Sequence, residues 1–276
     1  MVTKKLLIIT GITGFIGSHL DLSSLIKEYV VVGLSSDKIF NIKSKVIEIS
    51  ENKYRDILNT ANVIEILHLA TFYSFEKNDD DLVIEANEIF GEKLFKNLDK
   101  SKIKKVIYTN SYFTFFEDRK IKNSTYVKSK NKFSKFLQEI AKENSINYSE
   151  VFLANNFGLN DDRKKIIPEV ISSIKLNKPS PINNPEEYIN LLPIDTVCFN
   201  LISELEKQNR RIFFLSEYDY NVSSIYNFCY NIINKNKVNK IDFKLNSNKL
   251  NIPSDVKLVK INYNLESELI KLITPQ

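Results

Sequence analysis

The sequence predicts an α/β fold, a doubly wound parallel sheet followed by a small C-terminal α/β region. Three observations carry that expectation. The first half alternates short β-branched runs with segments of helical periodicity, an order that right-handed crossovers turn into a parallel sheet. Lys4–Thr10 is a continuous apolar run, as expected of a strand covered on both faces. The chain holds only 6 glycines in 276 residues, and Gly11, Gly14 and Gly17 follow that run directly. Ordinary usage of about 7% would give roughly nineteen.

The elements follow in order. Phe15–Lys27 has helical periodicity, with Phe15, Ile16, His19, Leu22 and Ile26 along one side. Tyr29–Leu34, Lys45–Ile49, Val63–Ala70 and Lys104–Ser111 read as strands. Lys53–Thr60, Asp81–Lys100, Ser124–Glu143 and Arg163–Leu176 read as helices, with the strand Asn147–Asn155 before the last of them. Past Asn177 the rhythm changes. Lys178-Pro179-Ser180-Pro181 and Asn183-Asn184-Pro185 are turn signals, followed by helix Ile194–Lys207, strand Arg211–Ser216 and helix Ser223–Asn234. Asn234–Asn251, dense in Lys and Asn, reads as solvated and poorly patterned.

Composition narrows the function classes. Cys198 and Cys229 form no CxxC, and His19 and His68 are the only histidines, so neither a disulfide scaffold nor a metal cluster is expected. A net charge of +5, from 39 basic and 34 acidic residues, is mild and scattered and gives no nucleic-acid footprint. The apolar part of the N-terminal run stops after four residues at Thr10-Gly11, too short for a signal peptide. No run approaches the ~18 residues of a membrane span. A cytoplasmic protein with no membrane partner is expected.

Thr10-Gly11-Ile12-Thr13-Gly14-Phe15-Ile16-Gly17-Ser18 joins a strand to a helix, which is the context of a dinucleotide loop. Gly11 permits the tight turn, and Gly14 lets the backbone approach a pyrophosphate. Gly17 removes a side chain where helix meets strand, and the helix N-terminus faces the anion. Gly11, Thr13, Gly14, Phe15, Ile16 and Gly17 are therefore the expected cofactor contacts of a Rossmann-like domain. Residues 1–160 are assigned to that domain. Residues 161–276 form mainly a substrate-binding region, with some segments returning to the first domain. An acidic residue ending the second strand would bind the ribose hydroxyls of NAD. Here Ser35 and Ser36 hold that position, with Lys38 close by. Small hydroxyls and a cation suit a 2′-phosphate, so NADPH is favoured; Asp37 could reach back, which leaves NAD open.

Tyr126 and Lys130 stand four apart, on one face of a helix. Reducing a ketone requires a proton donor at its oxygen, and a nearby ammonium makes a tyrosine a better acid–base group. The pair comes about a hundred residues after the glycine loop and just after a strand ending in Ser111. This set resembles the extended short-chain dehydrogenase/reductases, the NAD-dependent epimerase/dehydratase group. The resemblance implies that Tyr126 donates the proton, while Lys130 tunes it and holds the nicotinamide ribose. It also implies that Ser111 bonds the substrate carbonyl, with Thr114 and Thr109 as alternatives. Leu69, Ala70 and Thr71 would line the cofactor through backbone atoms, with His68 structural. Asn87 would brace the active site.

Ile66–Thr71, Thr109–Phe113 and Thr125–Phe133 are similar to bacterial sugar-nucleotide ketoreductases of the CDP-abequose and CDP-paratose synthase type. That likeness implies reduction of the 4-keto group of a CDP- or dTDP-linked 4-keto-6-deoxyhexose, in deoxysugar and lipopolysaccharide synthesis. It also implies a homodimer through the helices bearing Asn87 and Tyr126. Ser111, Tyr112, Asn155 and Tyr188 are the expected substrate contacts, with Asn155 matching an asparagine that meets the diphosphate. Two arginines of the pattern are absent. Ile189-Asn190 stands where Arg-Asp is common, and Phe152 stands for the other, so diphosphate recognition must differ or involve Lys164, Lys165 or another cation. A dehydratase needs carboxylates after Ser111, where Tyr112 and Phe113 occur instead. A 4-epimerase retaining NAD and a non-catalytic NADP sensor remain the alternatives.

Overall fold

The computed structural model describes residues 5–35, 38–43, 46–245 and 250–274. In chain order, β1 (Lys5–Thr10), α1 (Phe15–Ser18), α2 (Leu22–Glu28), β2 (Tyr29–Ser35), β3 (Lys38–Ile42), β4 (Val46–Glu48), α3 (Glu51–Thr60) and β5 (Ile64–His68) come first. Then follow α4 (Asp80–Ile84), α5 (Phe90–Asn97), β6 (Ile103–Ser111), α6 (Arg119–Lys122), α7 (Thr125–Glu143), β7 (Asn147–Leu153) and β8 (Asn155–Phe157). The remainder holds α8 (Ile166–Lys175), β9 (Tyr188–Pro193), α9 (Ile194–Ser203), β10 (Arg210–Ser216), β11 (Tyr218–Asn221), α10 (Val222–Ile233), β12 (Phe243–Leu245), β13 (Val256–Ile261) and α11 (Leu265–Ile273).

A nine-stranded sheet runs β13-β10-β7-β6-β5-β1-β2-β3-β4. β1 pairs in parallel with β2 and β5, and β5 with β6. The strand order reverses direction between β5 and β2, on either side of β1, which is where an open α/β sheet leaves a crevice at its carboxyl ends. Leu6 and Ile8 of β1 face the same side by the two-residue period of a strand, and pack with Val32, Ile66, Val106, Phe95, Phe133 and Leu137. Antiparallel β3 and β4 close one edge. β3 was not expected from the sequence.

The chain divides into two compact units. The first comprises Met1–Phe152, Cys198–Phe213 and Leu250–Lys257. The second comprises Leu153–Val197, Phe214–Lys249 and Leu258–Gln276, and holds a sheet ordered β12-β11-β9-β8. Its core joins Phe157, Ile167, Leu191, Phe228 and Leu269.

Several predicted elements change when packed. The helix expected over Phe15–Lys27 is two helices: the His19 ring bonds Phe15 O at 2.7 Å, and Asp21 restarts the helix by accepting Ser23 N–H at 3.0 Å. Short polar side chains at that position offer the backbone an N-cap. The helix expected over Asp81–Lys100 carries a π turn at Glu85–Ile89 between α4 and α5. The strand expected over Asn147–Asn155 divides into β7 and β8, and the helix expected from Arg163 starts at Ile166. Asn234–Asn251 contains the three exposed residues of β12 and the buried Ile241.

Candidate active site

The glycine loop lies in the first unit and is shaped by close approaches. Gly11 has φ +68°, and a Cβ there would lie 2.8 Å from Ala70 N, so the turn out of β1 needs glycine on both counts. A Cβ on Gly17 would collide with the Gly11 carbonyl and lie 2.6 Å from Ile12 Cα. Gly14 N–H donates to Gly11 O at 3.0 Å, folding the loop onto itself. α1 is only one turn long, so it offers no long helix dipole at this loop.

Behind this loop, Thr10 fixes the end of β5. Its Oγ1 accepts Leu69 N–H and Ala70 N–H, each at 3.1 Å. Those bonds occupy its lone pairs, so its proton goes to His68 Nδ1 at 3.1 Å and the ring carries its own proton on Nε2. His68 packs 4.9 Å from the Phe133 ring, and burial pushes it down to about 3, with Lys130 adding to the effect. A neutral ring is the consequence.

α7 carries Tyr126 and Lys130. Ser124 caps it by accepting Val127 N–H at 3.2 Å, a bond worth about 1 kcal/mol. Lys130 is fully buried and donates to Thr71 Oγ1 at 2.8 Å and to Thr109 O at 2.7 Å. Its ammonium lies 4.6 Å over the Tyr108 ring. Burial pulls Lys130 down to about 7 and wins over the opposing pull of Glu150. Tyr126 is buried against Tyr73, edge-on at 5.0 Å, and Phe75 at 5.6 Å.

Two further groups frame this pair. Asn87, on the π turn, accepts Phe72 N–H at 2.8 Å and donates to Phe72 O and Ser129 Oγ, each at 3.2 Å. Ser129 Oγ in turn donates to Tyr126 O at 2.9 Å. The π turn widens the helix where this asparagine faces inward, and such turns recur at functional sites. Ser111 ends β6; its Oγ accepts Phe113 N–H at 3.3 Å, which caps the short turn Tyr112–Phe115 and leaves the hydroxyl proton for another acceptor.

The remaining predicted residues lie as follows. Thr13 and Ser35 put their hydroxyls in contact. Phe15 and Ile16 open α1, and the Ile16 carbonyl accepts Cys198 Sγ–H at 3.5 Å. Ser36 and Asp37 lie outside the described residues. Lys38 pairs with Glu48 at 3.2 Å with both groups exposed, a bond worth about 0–1 kcal/mol that a phosphate could displace. Tyr112 is buried, stacked on Phe213 at 6.2 Å and edge-on to Phe116 at 5.1 Å.

The other two lie in the second unit. Asn155 Nδ2 donates to Asn190 O at 3.4 Å. Tyr188 donates to Asp242 Oδ2 at 2.7 Å, with the Lys244 ammonium 3.7 Å over its ring. Lys164 is exposed, and burial and Arg163 pull Lys165 down to about 7. Sequence reasoning passed over Arg163, which grips both oxygens of Asp161 and the Asn156 side chain and carbonyl. Asn190, named in the sequence only for the absent Arg-Asp pair, accepts Ser216 N–H at 2.8 Å and donates to Ser216 O and Asp219 Oδ1. Their signal was weak: Arg163 stands alone in a loop, and Asn190 is a single buried polar residue within the short strand β9.

A strand-to-helix loop whose close backbone approaches require glycine at 11 and 17, in the same unit as a buried lysine, fits a dinucleotide. The match to known proteins agrees: residues 7–190 fit the NAD dependent epimerase/dehydratase family, and the chain belongs to it. It is 28% identical over 202 residues to CDP-abequose synthase of Salmonella muenchen, across 71% of this chain and 68% of that protein. UDP-glucose 4-epimerase of Thermotoga maritima, solved with UDP-glucose, superposes with a TM-score of 0.71 at 16% identity, covering 97% of each chain. UDP-N-acetylglucosamine 4-epimerase of Methanobrevibacter ruminantium M1, in complex with UDP-N-acetylmuramic acid, gives 0.70 at 18% identity, covering 98% and 97%. The structural likenesses are ones of fold. Among the described residues no cluster of His, Cys, Asp and Glu could hold a metal, and no helix is long and apolar enough to cross a membrane.

Proposed function

We propose that the chain is an NADPH-dependent reductase of the 4-keto group of a CDP- or dTDP-linked 4-keto-6-deoxyhexose. The observation that carries this reading is the fully buried Lys130, held by Thr71 Oγ1 and the Thr109 carbonyl one helical turn from Tyr126. The likeness to CDP-abequose synthase supports the substrate class. When bound, the reduced nicotinamide would supply a hydride to the ketone carbon.

The chain's own groups do the rest. Backbone at Gly11, Gly14 and Gly17, with Leu69, Ala70 and Thr71, holds the dinucleotide, and Ser35, Ser36 and Lys38 meet the 2′-phosphate. Tyr126 transfers its phenolic proton to the ketone oxygen, while Ser111 donates a hydrogen bond to that oxygen. Lys130 in its ammonium form stabilises the phenolate left behind. Asn87 holds the Phe72 loop and, through Ser129, the first turns of α7. Asn155 and Tyr188 carry substrate recognition. A cytoplasmic homodimer serving deoxysugar synthesis for lipopolysaccharide or another glycan completes the reading.

NADPH oxidation is measured against CDP-, dTDP-, GDP- and UDP-linked 4-keto-6-deoxyglucose, with NMR of the product. Net oxidation separates a reductase from an epimerase, which regenerates its cofactor each cycle. Tyr126→Phe should lower turnover by about 10²–10⁴-fold with NADPH affinity unchanged. Wild-type turnover in that variant would sink the assignment.

A further inference from the structure

Glu150 of β7 is a fully buried carboxylate that the chemistry above does not use. We propose that Glu150 is a positioning residue, clamping the Ser111 end of β6 to the helical face that carries Tyr126 and Lys130. Its Oε1 accepts from Asn110 Nδ2 at 2.8 Å and from Ser134 Oγ at 2.6 Å. Asn110 turns its own oxygen to Ser111 N–H at 2.7 Å, so an unbroken chain of bonds leads from Glu150 to the Ser111 backbone. Ser134 lies four residues after Lys130 and eight after Tyr126, which puts all three on one face of α7. One oxygen therefore serves both elements.

The other oxygen explains why the group must be a carboxylate. Oε2 accepts from Arg211 Nε at 2.7 Å, and Arg211 is held in turn by Asp255 Oδ2 at 2.8 Å and lies 5.3 Å over the Phe152 ring. A buried charge is tolerated only when paired and hydrogen-bonded, and here three donors meet it. A glutamine has one acceptor oxygen and cannot serve both sides. The guanidinium claims that oxygen, because the charge-assisted bond is the stronger, and an NH₂ group is turned against Asn110 Nδ2. Glu150→Gln should thus release Ser111 while keeping the shape of the site.

The predicted rate effect rests on the ketoreductase reading; the clamp itself does not. On the full chain, amide hydrogen exchange at Ser111 is followed by NMR, and single-turnover NADPH oxidation is followed with the keto-sugar nucleotide the unsubstituted chain reduces best. Glu150→Gln should speed Ser111 exchange by about ten-fold or more. It should slow turnover by about ten-fold or more, with KM and NADPH affinity within about two-fold. In a Ser111→Ala background the same change should cost little further turnover, because both act through one group. A variant that melts earlier but keeps wild-type exchange at Ser111 and wild-type turnover would overturn the proposal. If Glu150→Gln does not fold, Asn110→Ala cuts the strand side alone and leaves Arg211 paired, with the same outcomes deciding. If the unsubstituted chain reduces no keto-sugar nucleotide, the ketoreductase reading fails and Ser111 exchange alone decides the clamp.

Discussion

His68 shows how a single side chain ties the start of the glycine loop to the stability of the fold. Its ring accepts the Thr10 proton at 3.1 Å, and its Nε2 has no hydrogen-bond partner among the described residues. Burial holds it down to about 3 in the folded chain, against an ordinary value of 6.5. Between those values the unfolded chain binds a proton on this ring and the folded chain does not, so stability rises with pH across that window and is lost as pH falls through it. Urea midpoints measured from pH 7 down to pH 4 should fall steeply for the wild-type chain. In His68→Phe the fall should be shallower, even if the variant is weaker at pH 7 for want of the Thr10 bond. Parallel curves would show that another group governs acid unfolding.

At the scale of elements, legibility followed locality. The strand–loop–helix at Gly11–Gly17 and the long helix α7 were readable because their signals lie within a few residues: three glycines after an apolar run, and Tyr126 and Lys130 four apart on one helical face. Gly17→Ala tests the loop directly. Its new methyl would be driven into the Gly11 carbonyl and Ile12. Overpacking of this kind costs about 1–3 kcal/mol, and the displaced loop should bind NADPH about ten-fold or more weakly in a fluorescence titration. Unchanged stability and affinity would mean the loop relaxes without loss. What the sequence hid was set by distant partners. The π turn around Asn87 has no local signature, because it is stabilised by Phe72 and Ser129, 15 and 42 residues away. β9, β11, β12 and β13 are short, mixed in pattern, and defined by pairing rather than by propensity. Glu150 carries no signal in the sequence, and only the convergence of Asn110, Ser134 and Arg211 gives it meaning.

At the scale of the whole molecule, the chain divides its residues between two cores. The glycine loop, Thr71, Asn87, Ser111, Tyr126 and Lys130 all belong to the first unit, while Asn155, Tyr188 and Arg163 belong to the second. Each unit has a hydrophobic cluster of its own, so a polar substitution in one need not disturb the packing of the other. Under the proposed function, the cofactor contacts fall in the first unit and the diphosphate contact Asn155 in the second, and that reading can be measured. Asn155→Ala removes a bond to the Asn190 carbonyl at 3.4 Å, and urea unfolding reads its cost to the fold apart from its effect on the site. If Asn155 meets the diphosphate, the variant should raise KM for the sugar nucleotide by about ten-fold, the worth of one charge-assisted hydrogen bond, with NADPH affinity unchanged. Tyr126→Phe should do the reverse, lowering kcat while leaving KM close to its original value. Should Asn155→Ala weaken NADPH binding as much as it raises KM, the division of labour between the two units is wrong, and the asparagine serves the cofactor instead.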